Sequence, residues 1–393
     1  MTHPFPCRLS APGVICSIGG EHAAILEALT HGRRGLTPSD RHTPGRTLPV
    51  GAIEAPLPDP SAWPTEHASR NNQLIAHALA ALGDALPELL EQVAPRRIGV
   101  VMGTSTSGVL ETELAIERTG PGQPFDDDYR YARQEIGAPA RFIADHLGLG
   151  GPAWTLSTAC SSGARALGAA RRMLRSGRVD AVIAGGADTL CGLTVNGFDA
   201  LGAISEAPCQ PFSAHRRGIN IGEAAALFIV TAQSGGIQLT GVGESSDAHH
   251  ISAPDPSGDG AVAAMQQALS MAQTGPEGVD YLNLHGTATE HNDAMEARAI
   301  ARLFGDRRPA CSSTKALTGH TLGAAGALEA AFCWLGLAHQ QLPLHVHDGH
   351  PDPALPALPL ITASRPRRPM TRALSNAFAF GGNNVALMLE QTS

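Results

Sequence analysis

The sequence predicts an α/β fold with mostly parallel strands, built twice along one chain. Three observations carry that expectation. Short β-branched runs alternate with Ala- and Leu-rich helical stretches, which is the order of βαβ units. The 393 residues are enough for two domains or one duplicated one. Two separate pairs of stretches also superimpose at one offset of 160 residues: Gly222-Glu-Ala-Ala-Ala-Leu-Phe-Ile229 lies over Gly382-Asn-Asn-Val-Ala-Leu-Met-Leu389, and Cys160 lies over His320.

The elements follow in order. Leu9 to Ile18 reads as an opening strand and turn, Glu21 to His31 as an amphipathic helix, and Arg41 to Trp63 as Pro-rich and irregular. Asn71 to Leu90 is one long Ala/Leu helix, and Arg96 to Met102 is a buried strand that ends in the polar loop Gly103 to Gly108. Gly120 to Asp128 is turn-rich, and its acidic run Asp126 to Asp128 is a solvated surface. The apolar run Trp154 to Leu156 stops at small residues, and a helix follows to Gly177. Val179 to Asp188 and Ile219 to Ala232 are strands, and Ser234-Gly-Gly236 breaks the chain into a first part, 1–234, and a second, 235–393. The second part reads as strand Ile237 to Gly243, helix Gly260 to Ala272, strand Val279 to Leu284, helix Met295 to Leu303 and strand Ala310 to Thr314. Thr321 to His339 is a helix apolar nearly all round, hence buried, and Arg372 to Phe380 with Asn384 to Glu390 forms a closing hairpin.

Composition narrows the function. A net charge of −8 argues against nucleic acid, which needs a basic field. The seven cysteines show no CxxC and no paired spacing, so neither a disulfide framework nor a metal site is expected, in keeping with a reducing cytoplasm. Met1 to Ser10 lacks the pattern of a signal peptide, and no apolar run is read as reaching the ~18 residues that span a bilayer.

The chemistry centres on Thr155-Leu-Ser-Thr-Ala-Cys-Ser-Ser-Gly163. Ala164, Leu167, Ala170 and Leu174 recur at helical spacing, with Ser161 and Ser162 as cap residues. Cys160 therefore sits on a strand-to-helix turn, where the helix N-terminus is expected to lower its pKa and free N–H groups can hold an oxyanion. The small neighbours leave the sulfur approachable, against the alternative of an inert buried thiol. Lys315 is the one lysine among 28 basic residues. A chain that uses Arg almost everywhere else points to a tight site at 315 that needs a compact point charge. His285, in Leu284-His-Gly-Thr-Ala-Thr289, follows a buried strand, and His320 closes Ser312-Ser-Thr-Lys-Ala-Leu-Thr-Gly-His320. Two His in Gly/Thr loops suit a neutral pair that donates to a carbonyl, whereas a cysteine hydrolase needs one His polarised by a carboxylate or amide. Asn376-Ala-Phe-Ala-Phe-Gly-Gly-Asn-Asn384 can bring backbone N–H groups close to a substrate.

These stretches together resemble the β-ketoacyl-[acyl-carrier-protein] synthases of the thiolase superfamily. TAC160SSG is similar to the nucleophile motif, H285GTAT to the first His motif, SSTK315ALTGH320 to the Lys/His motif and F378AF380GGNN to the glycine-rich gate, in family order across almost the whole chain. The resemblance implies a thiolase fold, with duplicated βαβαβαββ halves in a five-layered αβαβα sandwich. It implies that Cys160 carries the acyl group, that His285 and His320 serve decarboxylation of malonyl-carrier protein, that Lys315 works with Glu329, and that Phe380 is the gate. It places Thr287 and Thr289 on the phosphopantetheine arm, and Phe378 and Phe198 in the substrate pocket. No dissociable cofactor and no metal are implied, because the carrier protein brings the arm. The expected partners are acyl carrier protein and a second ketosynthase-like chain, identical or a chain-length factor, paired around Val179 to Ala187. Arg70, Arg171, Arg172, Arg175 and Arg178 are candidates for carrier docking.

The chain departs from the family pattern in places. It has Cys160-Ser-Ser where Cys-Ala-Thr is frequent, GGN383N384 for GGTN, GEAAA at 222–226 for a GEGAG-like stretch, and His215-Arg216-Arg217-Gly218 for Asp-Arg-Asp-Gly. These bear on the acyl pocket rather than the reaction. SAPGVICSIG and RRGINIGEAA look most like ketosynthases of aryl polyene clusters. Two competing functions remain: a degradative thiolase, which would need a late second Cys, and a non-catalytic pocket subunit, which would lack the nucleophile.

Overall fold

The computed structural model describes residues 5–120, 122–366 and 368–392. The chain opens with strands β1 (Arg8–Leu9) and β2 (Gly13–Cys16), helix α1 (His22–His31) and a small hairpin of β3 (Thr37–Ser39) and β4 (Leu48–Val50). Helices α2 (Arg70–Ala80) and α3 (Ala85–Gln92) lead to β5 (Ile98–Gly103), then α4 (Val109–Thr119), α5 (Ala138–His146) and β6 (Ala153–Leu156). Next come α6 (Ser162–Arg175), β7 (Ala181–Asp188), α7 (Gly192–Ala200) and β8 (Ala224–Thr231). The remainder is β9 (Gly236–Ser246), α8 (Asp259–Met271), β10 (Tyr281–Asn283), α9 (Glu290–Phe304), β11 (Ala310–Ser312), α10 (Lys315–Thr318), α11 (Ala325–His339), β12 (Arg372–Phe378) and β13 (Asn383–Thr392).

The strands repeat one arrangement. The first array runs β1-β8-β7-β5-β6 and the second β9-β13-β12-β10-β11. In each, the first three strands pair antiparallel and the last three parallel. The arrays join where Arg8 of β1 pairs with Gln238 of β9. Between them lie α6 and α11, whose apolar side chains share one core with residues of both arrays, among them Leu167, Phe332, Val182 and Leu387. Helices α2 and α5 cover the outer face of the first array, and α8 and α9 that of the second. That is the expected αβαβα sandwich. Its core is close-packed around side chains such as Phe228 and Phe332, and truncating one of these to Ala costs about 3–5 kcal/mol.

The two central helices meet backbone to backbone. A Cβ on Gly163 would stand 2.9 Å from the Ala327 nitrogen, and one on Gly326 would stand 2.8 Å from the Ala164 nitrogen. The crossing lies at the N-terminal end of each helix, so the turns that precede them, carrying Cys160 and His320, converge.

The structure departs from the sequence reading in four places. Asn71 to Leu90 is two helices, because the chain turns through Gly83 at φ 59°. Helices α4, α5, α7 and α10 and the β3–β4 hairpin were not foreseen; α4 is rich in half-exposed polar residues, and α7 starts on Gly192 with β-branched residues following. The strand read from Ile219 starts only at Ala224, since residues 219–222 leave the sheet to make single bridges to Ile204, His320 and Gly51. Leu322–His339 is long and apolar enough by composition to cross a membrane, contrary to the expectation that no run is; 83 % of it is buried, in the middle layer.

Candidate active site

Cys160 sits in a sharp elbow between β6 and α6. Ala159 before it takes a left-handed conformation, φ 50°, rare for a residue with a Cβ. The serines brace this elbow: Ser162 Oγ accepts from Thr158 N at 2.8 Å and donates to Ala159 O at 2.6 Å, and Ser161 Oγ donates to Thr158 O at 2.8 Å. They do not cap the helix, as the sequence suggested. The thiol is 4 % exposed. Burial pushes its pKa up to about 11, against the opposing pull of the Lys315 charge and of the Phe380 and Cys160 N–H groups. Desolvation thus opposes the lowering expected from the helix start.

His285 follows β10. Its N–H and that of Gly286 donate to the two oxygens of Glu296 on α9, at 2.8 and 2.7 Å, and Asn376 of β12 donates to the same carboxylate at 3.1 Å. Burial pushes the Glu296 carboxyl up to about 7. The Lys315 ammonium stands 3.3 Å from His285 Nδ1 and 2.5 Å from Glu329 Oε1. An ammonium only donates, so Nδ1 accepts and the ring proton sits on Nε2. Burial raises Glu329 to about 7, while Lys315 pulls it down.

His320 is pinned through its backbone, which donates to Asn220 O at 2.7 Å and accepts from Gly222 N at 3.0 Å. This is why residues 219–222 leave the sheet. The two rings lie edge to face with centroids 5.4 Å apart. Burial and the Lys315 charge hold both imidazoles well below their usual pKa, so both are neutral near pH 7.

A cavity of about 510 Å³ unites the candidates: Cys160, His285, His320, Phe380, Phe378, Phe198, Thr287 and Thr289 all line it. Phe198 and Phe380 face each other with centroids 5.4 Å apart, and Phe378 lies 6.0 Å from the His285 ring. Thr287 and Thr289 share a 2.9 Å hydroxyl hydrogen bond. Lys315 and Glu329 do not line the cavity. Lys315, grouped from the sequence with the catalytic residues and expected to work with Glu329, touches Glu329 and stands behind His285 as a positioning residue.

Sequence reasoning missed Glu296 and Asp293. Asp293 accepts from Phe212 N at 2.7 Å and Ala288 N at 3.2 Å, fixing the loop that carries the threonines. The signal was available: Asp293, Glu296 and Ile300 fall on one helical face, and two carboxylates beside a buried isoleucine need partners. Asp188 was missed too. It gathers the Thr104 hydroxyl and the N–H groups of Ser105, Thr106 and Gly323.

Two docking candidates are corrected. Arg70 is bound to the buried Glu223 through both Nε and Nη2, and Arg171 is itself buried. Arg172 pairs with Glu244. Arg175 and Arg178 are exposed, but they lie at the far end of α6, about 20 Å along the helix from Cys160. The pairing strand is corrected as well. β7 is hydrogen-bonded on both sides and wholly buried, so it cannot receive a partner. The open edge of the first array is β6, where Trp154 is exposed.

What the duplicated sandwich and this cavity define together is an acyltransferase of the thiolase fold. Residues 69–234 match the family model described as Beta-ketoacyl synthase, N-terminal domain, and residues 237–348 match Beta-ketoacyl synthase, C-terminal domain. The chain is similar to the Nodulation protein E of Rhizobium meliloti (strain 1021), 32 % identical over 98 % of each chain. It is 34 % identical to a 3-oxoacyl-[acyl-carrier-protein] synthase 2 of Staphylococcus aureus, over 80 % of this chain and 82 % of that one. Among solved structures it matches a chain of the ketosynthase ApeO in complex with its chain length factor ApeC from Xenorhabdus doucetiae, with a TM-score of 0.93, 44 % identity and full coverage of both chains. The chain belongs to the β-ketoacyl synthase family.

Proposed function

We propose that the protein is a 3-oxoacyl-[acyl-carrier-protein] synthase that joins an acyl group to malonyl-carrier protein with loss of CO2. One observation carries this reading: a thiol and two neutral imidazoles share a cavity, and a buried lysine fixes the tautomer of one of them.

Cys160 attacks the acyl thioester of the first carrier, the carrier's sulfur leaves, and the thiol proton ends on that sulfur. His285 cannot take this proton in transit, because Lys315 occupies its free nitrogen. His320 lines the cavity with Cys160 and its Nδ1 has no hydrogen-bond partner among the described residues, so the relay falls to His320. Malonyl-carrier protein then enters, with Thr287 and Thr289 along its arm. Nε2–H of His285 and the His320 ring donate to its thioester oxygen as the carboxylate departs as CO2, and the electron pair of the broken bond becomes the enolate. The enolate carbon attacks the Cys160 thioester. The N–H groups of Cys160 and Phe380, which both face the sulfur, hold the oxyanion. Collapse expels the Cys160 thiolate and leaves a 3-ketoacyl-carrier. No dissociable cofactor enters this sequence.

Two features support a ketosynthase-like partner chain docked on the β6 edge: the open strand with exposed Trp154, and the similarity to a complex of a ketosynthase with its chain length factor. Trp154→Glu should shift the assembly toward monomer in sedimentation. The same similarity, with the opening SAPGVICSIG, favours aryl polyene assembly. Seven free cysteines suit a reducing cytoplasm.

The test is CO2 release from malonyl-carrier protein with formation of a 3-ketoacyl product, and an acyl adduct on Cys160 by mass spectrometry. Absence of product from every primer offered, with Cys160 intact and alkylatable, sinks the proposal. Full activity of Cys160→Ala within a complex would instead favour a pocket subunit.

A further inference from the structure

The mouth of the cavity holds a cation with no counterion. Arg217 is exposed and lines the cavity beside Thr289, Glu290 and His291. Its guanidinium makes one 3.3 Å hydrogen bond, to the Arg216 carbonyl, and no carboxylate lies within 4.0 Å of it among the described residues. Its neighbour Arg216 has the opposite fate. That side chain is 8 % exposed and bound to Asp352 at 2.5 Å, so the pair divides into one structural and one unpartnered arginine.

The backbone of Arg217 is held on the wall that carries the two threonines. Gly218 N donates to Ala288 O at 2.9 Å, between Thr287 and Thr289. Gly218 has φ 119°, and a Cβ there would stand 2.2 Å from the Ala203 carbonyl, so only glycine lets the segment pass between these walls. Cys160 lies at the inner end of the cavity, the threonines line its side, and Arg217 is exposed at its outer end. An arm reaching the sulfur past the threonines therefore emerges beside a free guanidinium.

We propose that Arg217 binds the phosphodiester of the carrier's phosphopantetheine arm and so selects phosphorylated over unphosphorylated thioesters. The proposal rests on the ketosynthase reading above. Its chemistry is the fork of guanidinium donors matched to a tetrahedral anion.

The experiment compares kcat/KM for CO2 release from malonyl-phosphopantetheine and malonyl-pantetheine, in the intact protein and in Arg217→Gln. The ratio of the two should fall about tenfold in the variant, mostly through KM, because the phosphate is remote from the reacting carbon. Arg217→Lys should restore part of it, and added salt should lower the ratio in the unaltered protein. A ratio the same in Arg217→Gln as in the unaltered protein overturns the proposal. So does a loss seen only with full malonyl-carrier protein, which would assign Arg217 to the carrier's acidic surface. If the unaltered protein releases no CO2 from any of the three, the ketosynthase reading fails instead.

Discussion

Replacing Lys315 by Met separates two roles that the structure superimposes. The ammonium is 1 % exposed and touches both Glu329 Oε1 and His285 Nδ1. Without it, Glu329, 2 % exposed and with Oε2 already lacking a partner among the described residues, is an uncompensated buried acid. Breaking such a pair from one side costs about 3–5 kcal/mol. The cost depends on pH. Burial raises Glu329 above its unfolded pKa even in the native protein, so its contribution to stability is full below the unfolded value near 4.5 and is lost as pH rises through about 7. In Lys315→Met the carboxyl rises further, so the deficit relative to the native protein should be constant below about pH 7 and grow by about 1.4 kcal/mol per pH unit above it, up to the variant's own carboxyl pKa. Adding Glu329→Leu should recover stability to within about 1–2 kcal/mol of the native protein, since an apolar pair can replace a buried ion pair. It should not recover chemistry. Without the ammonium, His285 is free to carry its proton on Nδ1, and the positive charge behind the developing enolate is gone; CO2 release should fall about ten- to a hundredfold in both variants. Urea unfolding at pH 5.5 and 8, with CO2 release from malonyl-carrier protein, measures both effects. Recovery of CO2 release together with stability in the double variant would refute the tautomer argument and reduce Lys315 to a structural ion.

Other perturbations test the surrounding framework. Because both imidazoles titrate well below 6.5, CO2 release should show no inflection from them between pH 6 and 8, and alkylation of Cys160 by iodoacetamide should keep rising toward pH 11. Glu296→Gln replaces one acceptor of the His285 and Gly286 N–H groups by a donor, costing about 1–3 kcal/mol in urea unfolding and lowering kcat more than it raises KM. Gly326→Val puts a branched side chain where a Cβ already stands 2.7 Å from Ala164 Cβ, and soluble folded protein should be lost or weakened by about 1–3 kcal/mol. Asp188→Asn removes acceptor capacity that five donors use, with a similar cost and a fall in CO2 release, while Cys160 alkylation at fixed pH changes less.

Cys160 and His285 were legible because each stands in a small-residue turn just past a strand, and His320 because it stands in a Gly/Thr turn before an apolar helix, patterns that show in one dimension. Lys315 stood out by composition. Its place behind the ring was not legible, because whether a charge meets substrate or only touches another side chain depends on packing. Glu296, Asp293 and Asp188 were hidden for the same reason: they act through backbone N–H groups of residues distant in sequence or on another element, and no spacing rule encodes that. Arg70 and Arg171 misled because helical arginines look alike until burial is known. The pairing strand misled because the order of strands in a sheet differs from their order in the chain, so β6, earlier in sequence, lies outside β7.

The duplication explains why this site has one nucleophile rather than two. β5 and β10 hold equivalent positions in their arrays, so the Gly103 to Gly108 loop is the counterpart of the loop that begins at His285. Each is held by one buried carboxylate that accepts successive backbone N–H groups, Asp188 for Ser105 and Thr106, Glu296 for His285 and Gly286. The first loop carries Thr104, whose hydroxyl is spent on Asp188, where the second carries an imidazole facing the cavity. Asp188 also takes the Gly323 N–H, three residues past His320. One copy of the repeat has therefore become a brace for the other copy's histidine. That brace is what a merely symmetric pair of half-sites would lack. A thiol held neutral by burial and a histidine held neutral by the same burial need fixed distances more than they need charge, and the spent half of the repeat supplies the rigidity.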